Sequence, residues 1–237
     1  MKKKLSTKPI CIIPARGGST RIKNKNIINF AGKPIISYAI KTAIKSKIFS
    51  KVIVTTDNLR IKNISQKYGA EVPFIRSKKL SDNSAGTDLV IKDCIKKINS
   101  QYVEFHFCIY PCSPLIGPQE LKKSLNKIKK LRYDKLTTIS KYSSSPERSF
   151  LKKKEKIFFN KMNSKNKKGQ DLKNYYYDTG NIVVYRTSKL LKSKKIFFPK
   201  KATFLLLPFY KSIDINTYED LEIAKFLFHY KNKNNLK

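Results

Sequence analysis

The chain of 237 residues carries 52 lysines and arginines against 16 aspartates and glutamates, which gives a formal net charge of +36. This length is enough for one α/β domain with a sizeable core and does not require two independent domains. No apolar run approaches the roughly 20 residues that a membrane-spanning helix needs. We therefore do not expect a transmembrane protein.

The high net charge suggests nucleic-acid binding as a first interpretation. The lysines are, however, spread along the whole chain and are accompanied by many Ile, Asn, Phe and Tyr residues. Because these residue types share adenine- and thymine-rich codons, a biased genome explains the charge at least as well as selection for polyanions does. No RNA-binding or helix-turn-helix motif accompanies the lysines. We expect no specific nucleic-acid partner, only non-specific binding at low salt.

The cysteines and histidines indicate neither a metal cluster nor a hydrolase. The four cysteines form no C-x-x-C pair and two lie in apolar, strand-like runs, so we expect reduced core thiols. Neither His106 nor His229 is close in sequence to a nucleophile, which argues against a catalytic triad. The basic N-terminus leads into a predicted strand without a small-residue cleavage site. We therefore expect no signal peptide, no membrane partner and a cytoplasmic location.

The first predicted strand is the apolar run Ile10–Ile13, and a basic loop follows it. Pro14 ends strand pairing, and Gly17 with Gly18 allows the backbone to turn. Cations and hydroxyl groups fall in or just after this turn: Arg16, Ser19, Thr20, Arg21, Lys23, Lys25 and Lys33. The combination suits a polyphosphate, but the spacing matches neither a Walker loop nor G-x-G-x-x-G. In a lysine-rich chain a basic loop also arises by chance, so the residues alone leave both interpretations open.

The next segments alternate between helical and strand patterns. Predicted helices cover 33–46 with Pro34 in the first turn, 61–68 ended by Gly69, 88–98 and 118–131. Predicted strands cover 51–57, the short extended segment 71–76, 105–110 and 135–140. This alternation indicates a mostly parallel sheet with flanking helices. Ligands bind beyond the carboxyl ends of such strands, so we expect the loops at Arg16, Asp57 and Tyr110 to converge.

The composition changes between about residues 141 and 174, where serines and lysines replace most apolar residues. We interpret this stretch as an insertion into a single domain of residues 1–237, outside the sheet. Strand patterns return at 180–185 and 202–207. A closing helix begins at about Tyr218, with Thr217 as its cap and acidic residues in its first turn. Residues 231–237 are predicted to form a frayed tail.

The stretch Ile12–Asn26 contains Ile-Pro-Ala-Arg-Gly-Gly-Ser-Thr-Arg-Ile-Lys-Asn-Lys-Asn. It resembles the signature Ile-Pro-Ala-Arg-Gly-Gly-Ser-Lys-Arg-Ile-x-x-Lys-Asn of the sugar-acid cytidylyltransferases and departs from it at Thr20, where the family usually has lysine. The resemblance extends over nearly the full chain. It implies an α/β fold with a mostly parallel, Rossmann-like nucleotidyltransferase sheet. It also implies that the insertion at about 141–174 is a dimerisation arm that helps to close the partner's site.

The resemblance further implies where CTP binds. Cations and amides of the loop would neutralise the triphosphate and stabilise the departing pyrophosphate, with Arg16 and Lys25 as catalytic residues. The implied nucleotide-binding residues are Ala15, Arg16, Gly17, Gly18, Ser19, Arg21, Lys25, Asn26, Arg76, Ala85 and Thr87. The last three correspond to the cytidine site. For Arg76, a solvated charge at a strand end is the alternative interpretation.

Two blocks resemble the members of the family that use pseudaminic acid. The loop Tyr110–Pro114 begins with tyrosine, where sialic and legionaminic acid enzymes usually have glutamine. The block Gly169–Asn181 resembles a pseudaminate-type segment, with Lys168 in place of arginine and Tyr177 in place of histidine. Lysine keeps the charge but loses the bidentate fork. The implied substrate-binding residues are Tyr110, Lys168, Gln170, Asp171, Asn181, Phe197 and Phe198. For the two phenylalanines, a place in the hydrophobic core fits the sequence equally well.

A magnesium site is implied by the segment Asp214–Thr217, Asp-Ile-Asn-Thr, which resembles the family's Asp-Ile-Asp-Thr. Alternate residues of an extended segment face the same side, so the implied Mg²⁺ ligands are Asp214 and Asn216. Asp214 is also an implied catalytic residue. Asn216 lacks one formal charge, but an amide oxygen can still coordinate the ion. The residues alone leave open that Asp214 is only a structural cap.

Together these expectations describe an enzyme of glycan biosynthesis that transfers CMP from CTP to a nonulosonic acid. Pseudaminic acid is the expected acceptor, Mg²⁺ the expected cofactor and a homodimer the expected assembly. Within the family, a CMP-sialic or CMP-legionaminic acid synthetase is the alternative. A CTP-binding homologue with reduced catalysis is another, because Thr20, Lys168 and Asn216 all depart from the pattern. A basic RNA-binding protein is a third, and it would show a steep salt dependence of polyanion binding.

Overall fold

The computed structural model describes residues 8–82, 85–160, 168–194 and 196–233. Part of the predicted insertion, 161–167, and the end of the predicted tail, 234–237, lie outside the described residues. Among the residues that are described, no helix is both long and apolar enough to cross a membrane.

The structure alternates strands and helices along most of its length. In chain order the strands are β1 (Ile10–Pro14), β2 (Asn29–Phe30), β3 (Lys33–Pro34), β4 (Lys51–Thr55), β5 (Phe105–Ile109), β6 (Lys135–Lys141), β7 (Phe150–Lys153), β8 (Lys156–Phe159), β9 (Tyr176–Arg186) and β10 (Ala202–Leu206). The α-helices are α1 (Ile36–Ser46), α2 (Leu59–Lys67), α3 (Thr87–Lys97), α4 (Pro118–Lys130), α5 (Thr187–Lys192) and α6 (Tyr218–Lys233).

Within the described residues, one six-stranded sheet has the order β10-β6-β9-β5-β1-β4. β1 pairs in parallel with β4 and β5, and β10 pairs in parallel with β6. β9 runs antiparallel between β5 and β6. The prediction of a mostly parallel sheet with flanking helices is therefore confirmed, with one antiparallel strand inside the sheet.

Both faces of this sheet are covered, which explains why β1 and β5 are almost continuously apolar. Helices α1, α2 and α4 cover one face, where Ile13, Ile40 and Leu121 belong to one buried cluster. Helices α3 and α5 cover the other face, where Ile12 and Ile95 belong to a second cluster. Each fully buried side chain of this size contributes about 1.5–3 kcal/mol, so the two clusters stabilise the central strands from both faces.

A third buried cluster joins the loop after β1 to the segment before α6. Ile22 from the loop, Ile215 from the segment and Leu221 from α6 belong to it. Thr217 caps α6 as predicted, because its Oγ1 accepts the Asp220 N–H at 3.2 Å. The Asp220 carboxylate in turn accepts the Thr217 N–H at 2.8 Å, a reciprocal cap. Two segments far apart in sequence are thereby held side by side.

The prediction that Pro34 lies in the first turn of a helix is wrong. Lys33 and Pro34 form β3, which pairs with β2 across the two-residue turn Ala31-Gly32. Both turn residues have positive φ, 44° and 81°, as a type I′ hairpin requires. Helix α1 begins only at Ile36.

The region predicted to be an insertion contains the hairpin of β7 and β8. It forms a two-stranded sheet of its own and does not join the six-stranded sheet. Strand β9 begins at Tyr176, earlier than the predicted 180, because its first residues pair with the end of β6. The role of the hairpin in a dimer stays a prediction.

Candidate active site

A cavity of about 290 Å³ opens beyond the carboxyl ends of β1 and β5. Most of the predicted nucleotide-binding residues line it, together with one residue each from the sugar and metal predictions. These are Arg16, Ser19, Arg21, Lys25, Asn26, Arg76, Ala85, Thr87, Tyr110 and Asp214. Thr20, which departs from the family signature, lines the cavity as well. Polar groups from separate parts of the chain thus converge where ligands bind to parallel sheets.

The loop after β1 is held against the turn after β4. The Gly17 N–H donates a hydrogen bond to the Asp57 carboxylate at 2.8 Å. A Cβ atom on Gly17 would lie 2.9 Å from the side-chain nitrogen of Asn58 and 3.0 Å from its Cβ, so the close packing of the Asn58 side chain against the loop favours glycine there. Asn26 donates its side-chain N–H to the Arg16 carbonyl at 2.8 Å and closes the loop on itself.

Arg76 is a buried cation, with 4% of its surface exposed. Its Nε–H donates to Ser81 Oγ at 3.0 Å, and its guanidinium lies 4.0 Å from the Asp57 carboxylate. Burial lowers the pKa of Arg76, the Asp57 carboxylate opposes that shift, and the charge of Arg16 adds to it. The interpretation of Arg76 as a solvated charge at a strand end is therefore wrong. The loops at Arg16 and Tyr110 line the same cavity, and Asp57 is bound to the first of them through Gly17, so the expected convergence of the three loops is present.

Arg21 and Lys25 reach across the cavity to the segment before α6. Arg21 Nη2 donates to Asn216 Oδ1 at 2.7 Å. Lys25 Nζ donates to the Ile215 carbonyl at 2.7 Å and lies 3.4 Å from Asn216 Oδ1. Asn216 Nδ2 donates to Asp214 Oδ2 at 2.6 Å. One asparagine side chain therefore joins two loop cations to the predicted metal ligand.

Tyr110 follows β5 and forms part of the cavity wall. Its N–H donates to the Asn181 carbonyl at 3.0 Å, and its hydroxyl donates to Thr87 Oγ1 at 3.2 Å. Burial is the largest cause of the raised pKa of Tyr110, so the hydroxyl stays protonated at neutral pH. Asn181 itself is buried, and its amide donates to the Thr179 carbonyl at 3.1 Å. Asn181 supports Tyr110 through its backbone, and its side chain lies outside the cavity lining.

Solved structures share this fold. CMP:2-keto-3-deoxy-manno-octonic acid synthetase complexed with CTP superimposes with a TM-score of 0.70 at 18% identity, covering 95% of this chain and 100% of that chain. The 4-diphosphocytidyl-2C-methyl-D-erythritol synthase from Anaerococcus prevotii gives a TM-score of 0.64 at 16% identity, covering 94% and 96% of the two chains. At these identities the likeness establishes the fold alone.

The sequence profile described as Cytidylyltransferase matches residues 10–233. The chain belongs to the cytidylyltransferase family. The pseudaminic acid cytidylyltransferase of Campylobacter jejuni is 35% identical over 224 residues, which cover 93% of this chain and 96% of that protein. The CMP-N,N′-diacetyllegionaminic acid synthase of Legionella pneumophila is 27% identical over 232 residues, covering 92% and 95%. The family resemblance carried by the sequence motifs is confirmed.

Three predicted substrate-binding residues of this cytidylyltransferase lie outside the cavity formed by their own chain. Lys168, Gln170 and Asp171 are exposed and belong to a short helical turn before β9. Tyr177, in the same block, shares a hydrogen bond of 2.8 Å with Ser212 Oγ. Within one chain, the structure therefore does not bring this turn to the cavity.

The prediction that Phe197 and Phe198 line the sugar pocket does not match their positions in the structure. Phe197 is buried, with its ring centroid 6.3 Å from that of Tyr185 and its N–H donated to the Asp88 carboxylate at 2.7 Å. Phe198 is 76% exposed. Neither lines the cavity. For Phe197 the alternative interpretation as a core residue is the correct one, because burial and the hydrogen bond fix it there.

Three other predicted nucleotide-binding residues belong to the same loop but do not line the cavity. Ala15 is fully buried and its N–H donates to the Thr55 carbonyl at 3.0 Å, which continues the pairing of β1 with β4. Gly17 is committed to Asp57. Gly18 is exposed, and a Cβ atom on it would meet nothing within 4 Å. The loop therefore has a steric need for glycine at position 17 and none at 18.

Of the two predicted metal ligands, only the carboxylate of Asp214 is suited to bind Mg²⁺. Asp214 is exposed and lines the cavity, and proteins commonly hold Mg²⁺ by one or two carboxylates together with substrate phosphates. The Oδ1 atom of Asn216 is already an acceptor for Arg21. Within the described residues, no group of three or more His, Cys, Asp or Glu side chains forms a metal cluster. Thr217 and Asp220 cap α6 reciprocally, so the interpretation of Asp214 as a structural cap of this helix is wrong.

Sequence analysis gave no site role to Asp57 or Cys112. The signal for Asp57 was its place directly after an apolar strand, whereas its two partners are tertiary contacts. Cys112 lines the cavity, with Sγ 3.4 Å from Asn26 Oδ1. Burial raises the pKa of Cys112 to about 12, so the thiol is neutral at physiological pH. The remaining cysteines, 11, 94 and 108, are free and buried, as expected of core thiols.

Proposed function

We propose that this chain transfers CMP from CTP to a nonulosonic acid, with pseudaminic acid as the acceptor, and releases pyrophosphate. The observation that carries the proposal is the meeting of the loop cations, a buried arginine and an exposed carboxylate in one cavity. The residues concerned are Arg16, Arg21, Lys25, Arg76 and Asp214. The Campylobacter relative named for pseudaminic acid supports the choice of acceptor.

The proposed chemistry needs positioning and charge more than a protein nucleophile. The acceptor hydroxyl oxygen attacks the α-phosphate in line, the bond between the α-phosphorus and the pyrophosphate oxygen breaks, and the hydroxyl proton is released to solvent. Arg16, Arg21 and Lys25 neutralise the β- and γ-phosphates and the charge that develops on the leaving group. Arg76 and Thr87 bind the cytidine. Tyr110 lies between the cytidine and the acceptor.

Magnesium belongs to this proposal as the cofactor. When bound, Mg²⁺ supplies Lewis-acid stabilisation of the phosphate charge. Asp214 is the side chain proposed to hold it, together with oxygens of the triphosphate. His106 is not available as a base, since it is fully buried in the sheet.

A homodimer in the cytoplasm completes the proposal. The β7–β8 hairpin exposes large apolar side chains that a partner would cover: Phe150, Leu151, Ile157 and Phe158. An isolated two-stranded hairpin is marginally stable in water, which supports a contact with a second copy. Lys168, Gln170 and Asp171 follow the hairpin and would then act in the partner's cavity. All four cysteines are free thiols, which fits a reducing compartment.

The test is pyrophosphate release by the purified chain with Mg²⁺, each of the four nucleoside triphosphates, and pseudaminic, legionaminic and sialic acids. We expect turnover with CTP and the highest kcat/KM with pseudaminic acid. A preference for another nonulosonic acid would replace the acceptor and keep the reaction class. Absence of turnover with every acceptor at millimolar concentration would overturn the proposal.

The substitutions at Thr20 and Asn216 favour a second candidate, a CTP-binding homologue with reduced catalysis. Calorimetry distinguishes it, because that protein would bind CTP with a normal affinity and release no pyrophosphate. An RNA-binding protein would instead show polyanion affinity with a steep salt dependence and no preference for CTP.

A further inference from the structure

Asn216 lies between the loop after β1 and Asp214, because its side chain contacts both Arg21 and Asp214. Its backbone is fixed, because its N–H donates to the Asp220 carboxylate at 2.9 Å. The neighbouring Ile215 is 1% exposed and belongs to the buried cluster that also contains Ile22 of the loop. The side chain of Asn216 therefore projects from a rigid segment toward a rigid loop.

The two ends of the side-chain amide contact groups of opposite charge, and Lys25 Nζ lies 3.4 Å from the same oxygen that Arg21 contacts. The carbonyl oxygen accepts from Arg21, and the amide nitrogen donates to Asp214. Arginine can only donate and a carboxylate can only accept, so these two partners fix which end of the amide faces which way. An asparagine satisfies both partners at once.

An aspartate at position 216 could not make the same pair of bonds. Its carboxylate could accept from Arg21, but it has no N–H to donate and would repel Asp214 unless a cation lay between them. The amide therefore stabilises, without any metal, an arrangement that two carboxylates would reach only with a metal present.

We propose that Asn216 is a positioning residue rather than a metal ligand, and that it assembles Asp214, Arg21 and Lys25 into one triphosphate-binding site before Mg²⁺ arrives. The inference rests on the proposed binding of CTP. It changes the role expected from the family resemblance, in which position 216 supplies a metal-coordinating oxygen. It follows that the chain binds CTP appreciably in the absence of divalent cations.

The test is the affinity for CTP measured by calorimetry in EDTA and again with Mg²⁺. We expect Asn216→Ala to weaken CTP binding in EDTA by about tenfold, because Arg21 and Asp214 lose the group that holds them. Asn216→Asp should also bind CTP more weakly in EDTA, and Mg²⁺ should restore more of its affinity than it does for the unmodified chain. Asn63→Ala, at an exposed asparagine on α2, is the matched control and should leave both affinities unchanged.

A double-mutant cycle with Arg21→Ala separates positioning from a general loss of structure. If Asn216 acts through Arg21, Asn216→Ala should have little further effect on CTP affinity in the Arg21→Ala chain. Thermal melting of each variant checks that the fold is retained.

The inference is overturned if Asn216→Ala binds CTP in EDTA as the unmodified chain does and only the Mg²⁺ titration midpoint rises. That result would make Asn216 a metal ligand. A failure of the proposed function gives a different result, because the unmodified chain itself would then bind no CTP or release no pyrophosphate.

Discussion

At the scale of single residues, Asp57 links the loop after β1 to the buried Arg76. Its carboxylate accepts the Gly17 N–H and faces the guanidinium of Arg76. Because burial and the charge of Arg16 both lower the pKa of Arg76, the negative charge of Asp57 offsets part of the cost of keeping that cation inside the cavity wall.

Asp57→Asn removes the negative charge of this side chain and keeps its ability to accept the hydrogen bond. The amide oxygen of asparagine can still accept the Gly17 N–H, but Arg76 loses its counter-charge. We expect the KM for CTP to rise about five- to tenfold while kcat falls less, because nucleotide binding is affected more than the transfer step. Steady-state kinetics with CTP as the varied substrate measure this.

Glu71→Gln is the matched control for Asp57→Asn. Glu71 pairs with Lys51 at 3.2 Å on the surface, where both side chains are about half exposed, and such pairs contribute little. Equal KM values for the two variants would contradict the proposed role of Asp57.

Sequence motifs found the residues whose side chains face the cavity, such as Arg16, Arg76 and Tyr110. The sequence placed the loop at Asp57 near the others but gave Asp57 no role of its own, because its contacts with Gly17 and Arg76 form only in the folded chain. Phe197 shows the opposite error. An aromatic pair was expected at the sugar, but the hydrogen bond to Asp88 and the contact with Tyr185 hold Phe197 in the core.

At the scale of elements, β5 and α5 are joined by a buried histidine. Both ring nitrogens of His106 have partners, Ser100 Oγ at 2.9 Å and Thr187 Oγ1 at 2.8 Å. The Thr187 hydroxyl also donates to the Glu104 carbonyl at 3.1 Å, which favours the tautomer with the proton on Nδ1. Burial lowers the pKa of His106 to about 3, so this network requires the neutral imidazole.

The pH dependence of stability follows from that shift. In the unfolded chain histidine titrates near its ordinary value of about 6.5, so the unfolded state binds the proton first as the pH falls. The contribution of His106 is complete above about pH 6.5 and decreases toward pH 3, by about 1.4 kcal/mol per pH unit. Urea unfolding at pH 7.5, 6.0 and 5.0 measures it.

His106→Gln removes the titrating group and should flatten this dependence between pH 6.5 and 5. Its lower stability at pH 7.5 is itself expected, since a buried network is broken, so the comparison uses slopes rather than absolute values. If the free energy of unfolding changes with pH equally steeply in the two chains, His106 is not the group that causes the pH dependence.

The sequence predicted the existence of most elements, because buried parallel strands are continuous apolar runs and the helices show apolar stripes. It did not predict the direction of β9, since an apolar run pairs equally well either way and the choice depends on the neighbouring strands. It also missed the hairpin of β2 and β3. The turn Ala31-Gly32 lacks the Asn-Gly or Asp-Gly pair that commonly marks such a hairpin.

At the scale of the whole molecule, the β7–β8 hairpin is the surface that we propose as the dimer contact. Ile157 is 64% exposed and lies in a two-stranded sheet outside the central one. In a single chain its replacement by a charge should cost little, whereas in a dimer the charge would enter a buried contact.

Ile157→Asp should therefore shift the mass measured by light scattering from dimer to monomer and lower pyrophosphate release in parallel. Leu59→Asp, at a leucine that is 65% exposed at the start of α2, is the control and should leave the mass unchanged. A monomeric unmodified chain, or an unchanged mass for Ile157→Asp, would rule out the hairpin as the dimer contact.

The position of β9 has a consequence for synthesis on the ribosome. Strand β6 pairs only with β9 and β10 among the described strands, and both are translated after it. At about 5–20 residues per second, the nascent chain waits several seconds before these partners emerge. During that interval β6 and one edge of β5 can pair with strands of neighbouring nascent chains. We expect the lysine-rich composition, whatever its genomic origin, to oppose such pairing through repulsion between like-charged chains.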